Sequence, residues 1–220
     1  MPIAVSQLLA YWRCPNIYNG ITLDWNTIIN GYSFDPVYQD KVSTFISLVR
    51  TSLGTNGTST GVHKALKFFR NMGCSTQSQM YDYKYEKVTA ALDKGIPVYI
   101  RGNKDSNHGA GHAWIAHGYL NRNFVRNEIV KYLIVEHRDD GSYNSWYEDI
   151  PSTSITSYKM LYFNWGWKGR GDGYYSSDVF DTYKMMVDNG NGHFSQEVSN
   201  TNERHYYNKN IEIITDIKPR

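Results

Sequence analysis

The sequence predicts an α+β fold, with helices gathered early in the chain and strands gathered late. Three observations carry this. Up to about residue 94, apolar residues recur at helical spacing. From Ile96 onward they form short runs rich in Val, Ile, Tyr and Phe, the pattern of strands. The two patterns are segregated rather than alternating, which favours a helical lobe beside a sheet lobe over a doubly wound parallel sheet. A chain of 220 residues is long enough to bury one substantial core. The expected organisation is a single domain over 1–220, with 1–74 mostly helical lobe and 75–220 mostly sheet lobe.

Pro2 suits the first turn of a helix, where its missing N–H costs nothing. Ile3, Val5, Leu8, Leu9 and Trp12 then follow at helical spacing, so 2–13 reads as a helix stopped by Cys14-Pro15-Asn16. Residues 19–34 are turn-rich, with Asn-Gly at 19–20 and 30–31. A second helix spans about 37–53, with Val42, Phe45, Ile46, Leu48 and Val49 on its apolar face and Gly54 at its end. A small-residue loop over 54–60 leads into a third helix to about Asn71, with Val62, Leu66 and Phe69 inward. A short extended piece near 75–81 precedes a fourth helix over about 83–94, closed by Gly95. Strands are expected at 96–100, 113–119, 129–135, 160–163 and 211–214. Residues 137–157 read as a long polar excursion between strands.

Composition removes several function classes. Against 21 acidic residues the chain carries 23 Lys and Arg, a net charge of +2, so no global electrostatic case exists for nucleic acid or a polybasic membrane anchor. No apolar run approaches the roughly 18 residues of a membrane span. Aromatic residues make up 15% of the chain, which argues against disorder and suits a cleft with stacked walls. The two cysteines, Cys14 and Cys74, are too few for a disulfide scaffold and do not have zinc spacing. They read as two separate, half-buried thiols rather than a pair. The N-terminus has no basic segment followed by a long apolar one, so it is not a secretory signal.

Two places could hold chemistry. His108, His112 and His117 cluster in a Gly-rich stretch that runs into a buried strand. One reading is a metal site, but Gly109 and Gly111 oppose a helix between His108 and His112, and a strand sends His112 and His117 to opposite faces. A second reading is three ordinary surface histidines. A third is a catalytic histidine held rigidly by the strand, with glycines letting backbone approach a substrate. Further on, Asn164-Trp165-Gly166-Trp167 and Gly169 to Tyr175 pack two Trp and four Gly into a short stretch. This reads as an aromatic loop on the sheet edge, or as a wall that shields an imidazolium from water with Asn164 accepting its N–H. The embedded Arg170-Gly171-Asp172 triplet reads as coincidence rather than an adhesion signal.

These residues carry a resemblance. Gly111-His112-Ala113-Trp114, Asn164-Trp165-Gly166-Trp167 and Asp172-Gly173-Tyr174-Tyr175 resemble the histidine and tryptophan-loop motifs of the streptopain family of bacterial cysteine peptidases. In order along the chain, Pro2–Tyr11 with Gln7 resembles the family's nucleophile helix, Asp24-Trp25-Asn26 its aspartate/tyrosine-Trp motif, Gly95–Tyr99 the strand before the histidine loop, and Ile217-Lys218-Pro219 its chain end. The resemblance implies a papain-like cysteine peptidase fold, a helical lobe followed by a twisted antiparallel sheet lobe, with the cleft between them. It implies His112 as catalytic base, Trp165 and Trp167 as its packing wall, and Asn164 as the residue that orients the imidazole. Gln77 or Gln79 is the expected oxyanion side chain. No metal or organic cofactor is implied. The expected partner is a polypeptide substrate or peptide-like ligand in the cleft, or the protein's own N-terminal propeptide segment, with neither nucleic acid nor a membrane span. The implied location is secreted, periplasmic or at the cell surface.

One departure stands out. The family's nucleophilic Cys would sit immediately before the position of Met1. Cys14, at the far end of a helix rising about 1.5 Å per residue, would be roughly 18–20 Å from that point, and nucleophile and base need hydrogen-bond contact. Cys74 and Ser6 are equally misplaced. The expectation is therefore a thiol endopeptidase domain that lacks its nucleophile as written and is inactive as given. The alternative is a peptidase-fold binding module.

Overall fold

The computed structural model describes residues 1–55, 61–73, 77–104, 111–190, 194–197 and 204–219. Helix α1 runs Pro2–Trp12 with Pro2 in its first turn, and Arg13 ends it in the left-handed region at φ 49°. The Cys14 amide closes back on the Leu9 carbonyl at 3.0 Å, completing the C-terminal cap. Two two-residue strands follow, β1 (Ile17–Tyr18) and β2 (Ile21–Thr22), joined across Asn19-Gly20. The short helix α2 (Trp25–Asn30) starts at Asp24, whose carboxylate accepts from the Thr27 amide at 3.1 Å. β2 and α2 lie in the stretch 19–34 that reads as turn-rich.

Helix α3 (Pro36–Ser52) is capped by Asp35 and buries Phe45 and Val49. Helix α4 (Val62–Asn71) buries Val62, Ala65, Phe68 and Phe69. Strand β3 (Gln79–Asp82) and helix α5 (Tyr85–Leu92) come next. The α5 end is earlier than its apolar spacing predicts, because Gly95 at φ 70° and the Ile96 amide bonded to Ala91 fold the chain back.

The strands from β4 onward are β4 (Val98–Lys104), β5 (His112–His137), β6 (Tyr143–Asn164), β7 (Gly173–Ser176), β8 (Met185–Asp188), β9 (Phe194–Glu197) and β10 (Tyr207–Thr215). Among the described residues they join β3 in an eight-stranded sheet of order β3-β10-β4-β5-β6-β7-β8-β9, antiparallel at every described pairing. Alternation along the central strands divides two cores. Tyr99, Ala113, Ile115 and Ile214 face α1, α3 and α4. Val98, Ile100, Trp114, Ala116 and Ile213 face α5 and the layer of Phe163, Trp165, Tyr175 and Phe180. The α+β, papain-like architecture is thus as expected. Among the described residues no helix is long and apolar enough to cross a membrane.

Two expectations need correction. Residues 137–157 are not an irregular excursion. β5 and β6 form one continuous ladder from Ile115↔Asn164 to His137↔Tyr143, and a five-residue turn, 138–142, closes it. The expected strands at 113–119 and 129–135 are parts of one strand, and the one at 160–163 is the end of its partner. The ladder has one irregularity, a β-bulge between Ala116 and Gly118 that leaves His117 as an extra residue. Beyond the bulge the base of the ribbon is fastened by Tyr119 to Asp93 at 2.6 Å, Tyr85 to Asn121, Arg122 to Asp188 at 3.4 Å, and the Tyr158 ring on Phe194. From there to its tip no residue from 121 to 159 is buried. The second correction concerns Cys14, which is disulfide-bonded rather than a separate thiol. The chain's other cysteine, Cys74, lies outside the described residues.

Candidate active site

His112 opens β5, opposite Gly102 of β4. The glycine is required: a Cβ there would stand 2.5 Å from Ile211 Cδ1 and 3.2 Å from the Trp114 ring. His112 shares a strand face with Trp114 and sits among four aromatic rings. Its centroid lies 4.8 Å from Trp167, 5.7 Å from Tyr207, 6.2 Å from Trp165 and 6.3 Å from Trp114. His112 Nε2 is 2.8 Å from the Trp165 carbonyl oxygen. A carbonyl only accepts, so Nε2 carries the proton and Nδ1 is the basic nitrogen.

Burial in this cage lowers the His112 pKa from 6.5 to about 4; the Trp165 carbonyl acts the other way, and the Met1 amino group, His205 and Lys104 lower it further. The first turn of α1 packs on the loop that holds the imidazole: Ile3 lies against Gly166, next to Trp165, whose carbonyl meets His112. Arg101 also acts on Met1 there.

The tryptophan loop is braced from two sides. Asp172 accepts from the Trp165 amide at 2.9 Å, which occupies the aspartate of the Arg-Gly-Asp triplet in a structural bond. Asn164 Oδ1 accepts from the Gly166 amide at 2.9 Å and from Gln7 Nε2 of α1 at 3.0 Å. Gly166, at φ 77°, packs so closely on α1 that a Cβ would stand 2.9 Å from Ile3 Cγ2. The loop therefore seats the imidazole on one side and the first turns of α1 on the other.

Placement of the expected residues is mixed. His112, Trp165 and Trp167 come together as read. Asn164 adjoins them, but its oxygen holds Gln7 and Gly166, and the contact that orients His112 comes from the Trp165 backbone. Gln77 and Gln79 are exposed. Gln79 pairs with Thr215 on edge strand β3, three strands from β5, which is about 14 Å across the sheet and a further three or four residues along it. His108 lies outside the described residues. His117 lines a separate pocket of about 290 Å³ with Gln7, Tyr11 and Asn164, on the helix side of the sheet. Sequence reasoning missed Tyr207 and His205, which flank Trp167 and His112 from the far end of the chain. It also gave Gln7 no role of its own.

This geometry defines a class: the papain-like cysteine peptidase fold, a helix start facing a histidine on the first strands of an antiparallel lobe. Among solved structures the chain is similar to the active wild-type interpain A cysteine protease of Prevotella intermedia. The two share 18% identity with a TM-score of 0.51, over 97% of this chain and 80% of that one. The likeness is one of fold. No family model and no curated protein matches the sequence.

Proposed function

We propose that this chain is a streptopain-like thiol endopeptidase domain whose nucleophile belongs directly before Met1, and that the 220 residues alone are inactive. The observation that carries the reading is the tryptophan loop, which holds a buried, Nε2-protonated His112 through the Trp165 carbonyl and packs Gly166 and Asn164 on the first turns of α1 at Ile3 and Gln7. A thiolate there would gain from the helix dipole and from the free backbone N–H groups of the first turn. Pro2 contributes none, so those groups are the amides of Met1, Ile3 and Ala4. His112 Nδ1 would take the thiol proton, and the resulting pair would attack a peptide carbonyl. The same amides would hold the oxyanion, and His112 would return the proton to the leaving amine. Cys14 cannot serve, because it is already in a disulfide. The aromatic cage excludes water around the imidazole and supports a polypeptide as the ligand of the cleft.

The test compares the chain as given with one carrying Cys directly before Met1. The first should not hydrolyse casein. The second should, with iodoacetamide alkylation of the added thiol faster than that of a free cysteine, and His112→Ala should abolish both. Turnover by the chain as given would displace the nucleophile assignment. An added cysteine that neither reacts nor cleaves would leave the fold as a binding module.

A further inference from the structure

The ribbon of β5 and β6 has two unlike faces. Directly opposed residues share a face, so the register sorts them. One face carries Val125, Ile129, Leu133, Tyr147 and Ile155, with Ile129 67%, Tyr147 68% and Ile155 64% exposed. The other carries Arg126, Glu128, Glu136 and Glu148 between its apolar residues. Both faces meet water, and the second also exposes Tyr132, Trp146 and Ile150, but the most exposed apolar side chains of the ribbon stand on the first. An apolar sheet face is ordinarily covered, and an isolated two-stranded ribbon is marginal in water.

The edges are poor docking sites. Pro151 gives β6 no N–H to offer, and charges interrupt β5. The covering element must therefore lie on the face. From the pair Asn123↔Ser157 to the tip, that face carries one formal cation and one formal anion, Lys131 and Asp149, paired with each other at 3.7 Å. It is neutral, and an identical face can be laid on it without net repulsion. Area agrees. The fifteen pairs from Asn123↔Ser157 to His137↔Tyr143 span about 50 Å at about 3.3 Å per residue, and two strands give a face of about 500 Å². Two such faces bury about 1,000 Å², the lower bound of a specific interface.

We propose that the ribbon is a dimerisation arm whose apolar face packs on the same face of a second copy of this chain. The contact is isologous, as a two-fold dimer requires. It does not depend on the peptidase reading.

Sedimentation equilibrium from about 1 to 100 µM, the range over which a micromolar Kd is read, tests it. The chain should pass from 25.4 kDa to twice that mass. Leu133→Lys, on the apolar face, should raise Kd at least tenfold, and Tyr132→Lys, on the opposite face, should leave it within twofold. Both positions are exposed, so neither change perturbs the core. Lys131→Asp and Asp149→Lys should each weaken self-association, and an equimolar mixture of the two should restore it, because the faces are then of opposite net charge. Loss of an intrachain ion pair alone would not be rescued by mixing. A monomer at every concentration overturns the proposal, as does a dimer indifferent to Leu133→Lys.

Discussion

At the scale of the residue, His112 and Gly166 carry sharp consequences. His112 is buried neutral, with a pKa lowered from 6.5 to about 4. Between those values the unfolded chain binds a proton that the folded one refuses, so stability is full above about pH 6.5 and falls as pH drops toward 4. The full shift corresponds to roughly 3 kcal/mol. Urea midpoints at pH 7, 5 and 4 should show this loss in the parent chain, and a His112→Phe variant should lack that portion of it. Gly166 is constrained twice, by its positive φ and by Ile3. Gly166→Ala should cost about 1–3 kcal/mol. It should also shift the near-UV circular dichroism of the Trp165–Trp167 stack, whose rings lie 5.6 Å apart. An unchanged spectrum would mean that the loop absorbs the methyl group without moving the tryptophans.

At the scale of the element, the ribbon is separable from the body. None of its residues between 121 and 159 is buried, and Arg122 and Tyr158 are among the residues that fasten its base. Replacing 123–157 by a tight two-residue turn should therefore leave domain stability within about 1 kcal/mol, as for other changes away from the core. A thermal melt reads this directly, and a large drop would mean that the arm supports the fold. The same exposure explains why the arm was illegible. Period-2 reading depends on one face being buried, and here both faces meet water, so apolar and polar residues do not separate cleanly in sequence. Helices α1, α3 and α4 were legible because each has a face packed on the core. Strands β7, β8 and β9 are four residues each, too short for a pattern to emerge. In the site, His112 and the tryptophans stood out by composition. The Gln7–Asn164 bond and the stacking of Tyr207 did not, because each joins segments far apart in the chain.

At the scale of the whole molecule, the site is assembled from both ends of the chain: α1 supplies one wall, β5 the histidine, the loop after β6 the brace, and β10 the last ring. The helices and the sheet that build it are held together by the shared core in which Leu8 and Val49 meet Tyr99 and Ile115. Cys14, just past α1, is in a disulfide. Reduction, or Cys14→Ser, should lower stability by about 2–4 kcal/mol, seen as a lower urea midpoint. Equal midpoints with and without reductant would remove the disulfide from the account.

The bulge at His117 bears on all of this. Before it, the even-numbered residues of β5 (His112, Trp114, Ala116) look toward α5; beyond it, Tyr119 pairs with core residue Leu161 and the odd-numbered ones do. One surplus residue thus shifts the reading frame of the strand while each face keeps its physical side. The apolar stripe of the arm is a prolongation of the surface that houses the imidazole. Removing His117 would keep every cross-strand pair and both surfaces and take away only the local twist that bulges add. That single residue therefore sets the aim of the arm: where a second molecule, once gripped, would stand relative to His112.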